Sequence, residues 1–166
     1  MPEYFNMGDA IHSDTANNKK INNVPGVDAN EGPEYSAHII EYNIQQLFKH
    51  CVHPIKQQFP TLALSSVYRC IELNDDVGGV SYSNHLFGEA ADICDPTGEF
   101  SSLDIFKWII SNIPKYYQVI WEYPERGLSY IRENGEVKVN SWVHIAYVTG
   151  NHKKTISLAS EKESYH

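Results

Sequence analysis

Cysteine is scarce in this chain of 166 residues: Cys51, Cys70 and Cys94 are the only three, and no two of them form a C-x-x-C pair. That spacing excludes the usual paired-thiolate zinc motifs, and the odd count argues against a disulfide framework. A reducing compartment during synthesis is the simpler reading. Positive charge is scarce too, since 13 Lys and Arg against 21 Asp and Glu leave a formal charge of −8. This balance disfavours the broad basic footprint with which proteins hold nucleic acid. No apolar run approaches the ~18 residues of a membrane span, so no membrane anchoring is expected. The segment Met1–Asp9 has neither the basic start nor the apolar stretch of a secretory signal. The expectation is synthesis in the cytoplasm, with any action outside depending on release by another agent.

What remains is the composition of an ordinary globular domain, 42% hydrophobic and 20% charged. Residues 1–150 read as one domain that begins with a polar, Asn-rich segment over 1–32, and residues 151–166 read as a loose tail. In the polar segment Ser13 suits the cap of a short helix at Asp14-Thr15-Ala16. From Pro33 to about Gln58 the positions Ile39, Ile40, Ile44, Leu47, Phe48, Cys51, Val52 and Ile55 recur at three- and four-residue intervals, which predicts an amphipathic helix bent near Pro54. Leu62–Tyr68 predicts a strand that delivers Arg69 to its end, Ile71–Asn74 a helical turn, and Asp76–Val80 a loop. Gly88–Cys94 predicts a second strand, Ser102–Ile113 a Ser-capped helix, Tyr116–Tyr123 a third strand and Trp142–Val148 a final one. Asn134-Gly135 suits the two-residue turn of a hairpin. The fold class is therefore α+β: a single domain with a mostly antiparallel sheet and helices packed on one side.

The segment Ser81–Ile93 carries the chemistry. Alternation along a strand from Gly88 puts Gly88, Ala90 and Asp92 on one face, nearly bare of side chain until Asp92. That space lets His85 fold back beside the Asp92 carboxylate. Two His plus one carboxylate with an open fourth position is the pattern of a catalytic zinc site. The best third candidate is His144, a polar residue inside the strand pattern Trp142–Tyr147. Taken alone, a His in an apolar strand is more often a hydrogen-bonded core residue, and Gly88–Asp92 also reads as a strand whose Asp caps a turn. The combination changes the reading.

The string Ser83-x-His85-x-x-Gly88-x-Ala90-x-Asp92 follows Tyr68-Arg69-Cys70, Leu73-Asn74 and Val77-Gly78-Gly79, and precedes Gln118–Glu122 and Trp142-Val143-His144. In this order the blocks resemble the zinc D-alanyl-D-alanine carboxypeptidase family, and more narrowly its compact phage and prophage members acting on peptidoglycan, which share a fold with the Hedgehog signalling domain. The resemblance runs from about Ile11 to Tyr147. It implies that His85, Asp92 and His144 hold one Zn²⁺, with a water completing the site. Many relatives place a Glu three residues before the last His, where this chain has Ser141. Glu122, at the end of its strand, is the replacement expected as the catalytic proton carrier, because antiparallel pairing with Trp142–Val148 brings it near His144. Glu89 fits less well, being on the strand face opposite Asp92. Arg69 offers a planar fork suited to a substrate carboxylate, the alternative being an ion pair with an acidic side chain. Ser83 is expected to orient His85 or a substrate group. Cys94 shares the face of Asp92 and reads as a small buried hydrophobe. His50 and His53 read as a solvated or interfacial helix edge.

The leading expectation is a zinc peptidase that cuts an amide bond in the peptide stem of bacterial peptidoglycan, of the D,D-carboxypeptidase or L-Ala-D-Glu endopeptidase type. It would work as a monomeric phage or prophage endolysin that reaches the wall after release. The alternatives are a non-catalytic zinc-binding or virion structural module that keeps the fold, and a peptidase of the free D-alanyl-D-alanine dipeptide.

Overall fold

The long helix expected over residues 33–58 divides into pieces in the computed structural model, which describes residues 3–126, 130–133 and 136–160. The polar start of the chain already holds two short helices, α1 (Met7–Ile11) and α2 (Asp14–Lys19). Asn6 and Asp9 close a capping box on α1, and the Ser13 side chain accepts from the Ala16 amide at the start of α2. α3 covers Ala37–Leu47, a π-helical turn covers Phe48–Val52, and α4 covers His53–Gln58. Pro54 sits in the first turn of α4, where its missing N–H costs nothing, so the wider π turn before it absorbs the bend. α5 (Ile71–Asp76) and α6 (Ser102–Asn112) complete the helices, with α6 capped by Ser101 and Asp104.

The main sheet runs in the order β1 (Ala63–Ser66), β2 (Ala90–Cys94), β6 (Trp142–Ala146), β3 (Gln118–Glu122), β7 (Thr155–Ala159). The first three pairings are antiparallel and β3–β7 is parallel. β4 (Tyr130–Glu133) and β5 (Glu136–Val139) pair antiparallel as a separate two-stranded sheet, and the turn expected at Asn134-Gly135 lies outside the described residues. One face of the sheet presents Ala91, Ile93, Val119, Val143 and Ile145. These pack with Ile40, Ile44 and Leu47 of α3 and Ile105, Phe106 and Ile109 of α6 into the main core. Because strand alternation has period two, Asp92, Ile120, Glu122, Trp142 and His144 are left to the opposite face. Among the described residues no helix is long and apolar enough to cross a membrane.

Three expectations change. β6 is not the last strand: Thr155–Ala159 of the tail read as loose pairs with Gln118–Glu122 as β7. Gly88 is not in a strand. It sits at φ +71, ψ 21 as the cap of a 3₁₀ turn over Asn84–Phe87, and β2 starts two residues later. His53 is buried rather than solvated, its Nε2 accepting the Phe5 amide at 3.2 Å, while His50 stacks on Tyr147 with ring centroids 4.7 Å apart.

Candidate metal centre

β2 and β6 pair so that Asp92 lies directly opposite His144. The 3₁₀ turn brings His85 onto the same face, since its Ser83 cap accepts the His85 amide at 3.2 Å and Gly88 ends the turn with N–H bonds to the carbonyls of Asn84 and His85. His85 Nε2 lies 3.3 Å from Asp92 Oδ1, and His144 Nδ1 lies 3.1 Å from the same oxygen. The two imidazoles meet edge to face with centroids 5.1 Å apart. All three residues are buried and together form a group able to hold a metal ion.

Hydrogen bonding fixes the chemistry of His85. Its Nδ1 lies 2.6 Å from the carbonyl oxygen of Val67, which can only accept, so Nδ1 carries the proton and Nε2 keeps its lone pair. Burial and the Arg69 charge push this imidazole down to about 4, against the pull of Asp92, so the ring is neutral at neutral pH. Burial by itself would raise the Asp92 carboxyl, but the hydrogen bond with His144 Nδ1 acts against it and the group lies below the usual carboxylate range.

These residues fit a divalent cation on two counts. The His85 Nε2 lone pair is buried without a hydrogen-bond partner and faces a carboxylate oxygen, an arrangement of two acceptors that a cation between them relieves. Tetrahedral bonds of about 2.0–2.1 Å set neighbouring ligand atoms about 3.3 Å apart, and the separations here are 3.3 and 3.1 Å.

The remaining candidates fall around this centre. Arg69 is 4% exposed and donates from Nη2 to Asp92 Oδ2 at 3.2 Å, from Nη1 to Asn74 Oδ1 at 3.3 Å and from Nε to Ser66 Oγ at 3.1 Å. It also lines a cavity of about 270 Å³ with Ser65, Asp92, Trp142 and Thr15. A separate cavity of about 190 Å³ is lined by Tyr82, Ser83, Asn84, Gln118 and His144. Glu122 is buried and pairs with Trp142 in the β3–β6 register, one alternation step from the Ile120–His144 pair. It therefore shares the sheet face of His144. Ser141 goes elsewhere: its hydroxyl bonds the Glu122 carbonyl at 2.8 Å and Ser102 Oγ at 2.8 Å. Cys94 packs with Tyr123 and Trp142 on the ligand face, its thiol pushed up to about 12 by burial. Sequence reasoning missed Asn74 as an individual residue, although the Leu73-Asn74 block carrying it was visible.

Two imidazoles and one carboxylate, brought together by β2, β6 and the 3₁₀ turn, form the ligand set of a metallohydrolase centre. Comparison with protein families identifies residues 19–109 as Peptidase M15, more than half of the chain. The protein belongs to the Peptidase M15 family and is a metallopeptidase of the zinc D-Ala-D-Ala carboxypeptidase type. The matched stretch includes His85 and Asp92, while His144 and Glu122 lie beyond it and join the site through the sheet register. No curated protein matches the chain.

Proposed function

We propose that this protein hydrolyses an amide bond in the peptide stem of bacterial peptidoglycan, as a D,D-carboxypeptidase or an L-Ala-D-Glu endopeptidase, with one Zn²⁺ held by His85, Asp92 and His144. The observation that carries the reading is the convergence of these three buried side chains, with Asp92 on the wall of one cavity and His144 on the wall of another. Bound zinc would supply a Lewis acid that polarises the scissile carbonyl and lowers the pKa of water.

The protein's own groups supply the rest. Burial and the Arg69 charge keep His85 neutral, the Val67 carbonyl turns its ring, and Ser83 fixes the backbone that carries it. Glu122, on the face of His144, takes a proton from the attacking water and returns it to the leaving amine. Arg69 places a positive charge on the wall of the larger cavity, which suits a peptide carrying a carboxylate. As part of the same proposal the protein is a monomeric phage or prophage endolysin, made in the cytoplasm and reaching the wall after release.

The test is incubation of the zinc-loaded protein with purified peptidoglycan, followed by mass analysis of the muropeptides. Loss of one D-Ala identifies the carboxypeptidase, and release of stem peptides that begin at D-Glu, with L-Ala left on the glycan, identifies the endopeptidase. Bound zinc with no new amine under any condition would refute hydrolysis and favour the non-catalytic module.

A further inference from the structure

The side chains behind the three ligands form a connected chain that ends in the loop between α5 and the His85 turn. Asp92 uses its two oxygens differently: Oδ1 faces the imidazoles, while Oδ2 accepts from Arg69 Nη2. Arg69 is turned in the required direction by Asn74, whose Oδ1 accepts from Nη1 at 3.3 Å. The amide nitrogen of the same Asn74 donates to the Val80 carbonyl at 3.0 Å, and the Asn74 backbone carbonyl accepts the Gly79 amide at 2.9 Å. Asn74 is 1% exposed, and its side chain is hydrogen-bonded at both ends, to Arg69 and to the Val80 carbonyl. Gly79 belongs to the same arrangement, because a Cβ at this position would run into the Asn74 side-chain amide. The backbone closes the circuit: the Arg69 amide donates to the His85 carbonyl at 3.1 Å, so one residue braces two of the ligands.

We propose that Asn74 is a positioning residue which sets the metal affinity of the site through Arg69, by holding the guanidinium so that Asp92 offers a single oxygen to the ion. This inference rests on the metal-centre reading above. It follows from general behaviour of metal sites, where groups behind the ligands fix ligand orientation and their loss weakens binding about 10- to 100-fold. Its second consequence is a link between the ion and the 77–82 loop. That loop contributes Val77 to the larger cavity and Val80 and Tyr82 to the smaller one. Tyr82 is 88% exposed at that rim, so the segment flanking both cavities is tied to the carboxylate ligand by one amide side chain.

The proposal is tested with Asn74→Ala and Gly79→Ala, neither of which changes the charge of the protein. Zinc dissociation constants are measured by competition with a chromophoric chelator, and the visible absorption of the Co²⁺-substituted proteins reports coordination. Both variants are expected to bind zinc at least about tenfold more weakly than the parent, with an altered cobalt spectrum. Circular dichroism of the metal-free proteins identifies the variants that remain folded. Affinity within twofold of the parent, with an unchanged cobalt spectrum, in either folded variant overturns the proposal. His144→Ala is run alongside: if it binds zinc as tightly as the parent, the metal-centre reading itself fails. If it loses zinc while Asn74→Ala keeps it, only the role of Asn74 fails.

Discussion

Gly88 is the position where the site places the sharpest demand on the backbone, and replacing it with alanine tests that demand in two parts. At φ +71 the residue occupies the left-handed region, which costs a residue with a Cβ roughly 1–2 kcal/mol. An added Cβ would also stand 2.7 Å from Ile44 Cγ1 and 2.8 Å from the Ile40 carbonyl oxygen. The second neighbour is helix backbone and cannot swing away, so the strain of overpacking, about 1–3 kcal/mol, is added. A stiffer unfolded chain offsets about 0.4–1 kcal/mol of this. The expected loss is therefore about 1–4.6 kcal/mol, a drop in Tm of roughly 2–18 °C for a chain of this size.

Urea unfolding of the metal-free parent and variant measures the loss directly. Gly78→Ala isolates the first part, because Gly78 has φ +76 and nothing within 4 Å of its added Cβ. It should lose only about 1 kcal/mol. If Gly88→Ala costs no more than Gly78→Ala, the packing of the His85 turn against α3 is not what requires glycine there.

Three of the remaining predictions concern charge and protons. Glu122→Gln should retain zinc and fold normally while kcat falls at least about 100-fold, the usual contribution of a positioned proton carrier; unchanged turnover on peptidoglycan removes Glu122 from the reaction. Burial pushes Glu89 up to about 7, partly offset by the Asn84 side chain. Since the folded protein then holds this proton more tightly than the unfolded chain does, stability contributed at this position falls as pH rises from about 4.5 to 7. Glu89→Gln should therefore gain Tm over the parent at pH 8 but not at pH 4, and an equal difference at both pH values counts against the buried carboxyl. Arg69→Lys keeps the charge but loses the planar fork shared by Asp92 and Asn74, so peptide hydrolysis and zinc affinity should both fall, with retention of both indicating that charge alone suffices.

The elements that were legible from sequence are those whose signal is local. The three- and four-residue spacing of Ile40, Ile44 and Leu47 predicted α3, and that of Phe106, Ile109 and Ile113 predicted α6, because each set faces one core. The ligand face was readable from strand alternation, since Asp92 and His144 stand opposite one another in register. β7 was hidden because it is a short edge strand that leaves Ile156 and Leu158 exposed and pairs in parallel with residues more than thirty positions earlier. His53 looked solvated because the residues that cover it, Tyr4 and Phe5, come from a distant segment. The left-handed Gly88 was missed for a different reason: periodicity reports which face a residue takes but not the sign of φ.

The geometry around Ser141 disfavours a catalytic carboxylate three residues before His144 and so supports Glu122 on β3 as the proposed proton carrier. Trp121 Nε1 donates to Ser102 Oγ at 2.9 Å, Ser102 and Ser141 share a bond at 2.8 Å, and the Ser141 hydroxyl ends on the Glu122 carbonyl at 2.8 Å. This chain of hydroxyls ties α6 to β3, and Ser141 is 1% exposed within it. A carboxylate here would replace a satisfied donor with a charge facing the Glu122 carbonyl, at a cost of several kcal/mol or with a strongly raised pKa. Ser141→Glu should therefore destabilise the protein by about 3 kcal/mol or more, and it should fail to restore hydrolysis to the Glu122→Gln variant. Recovery of turnover in that double variant, measured by amine release from peptidoglycan, would show that residue 141 can reach the reacting atoms and that the face assigned to it is wrong.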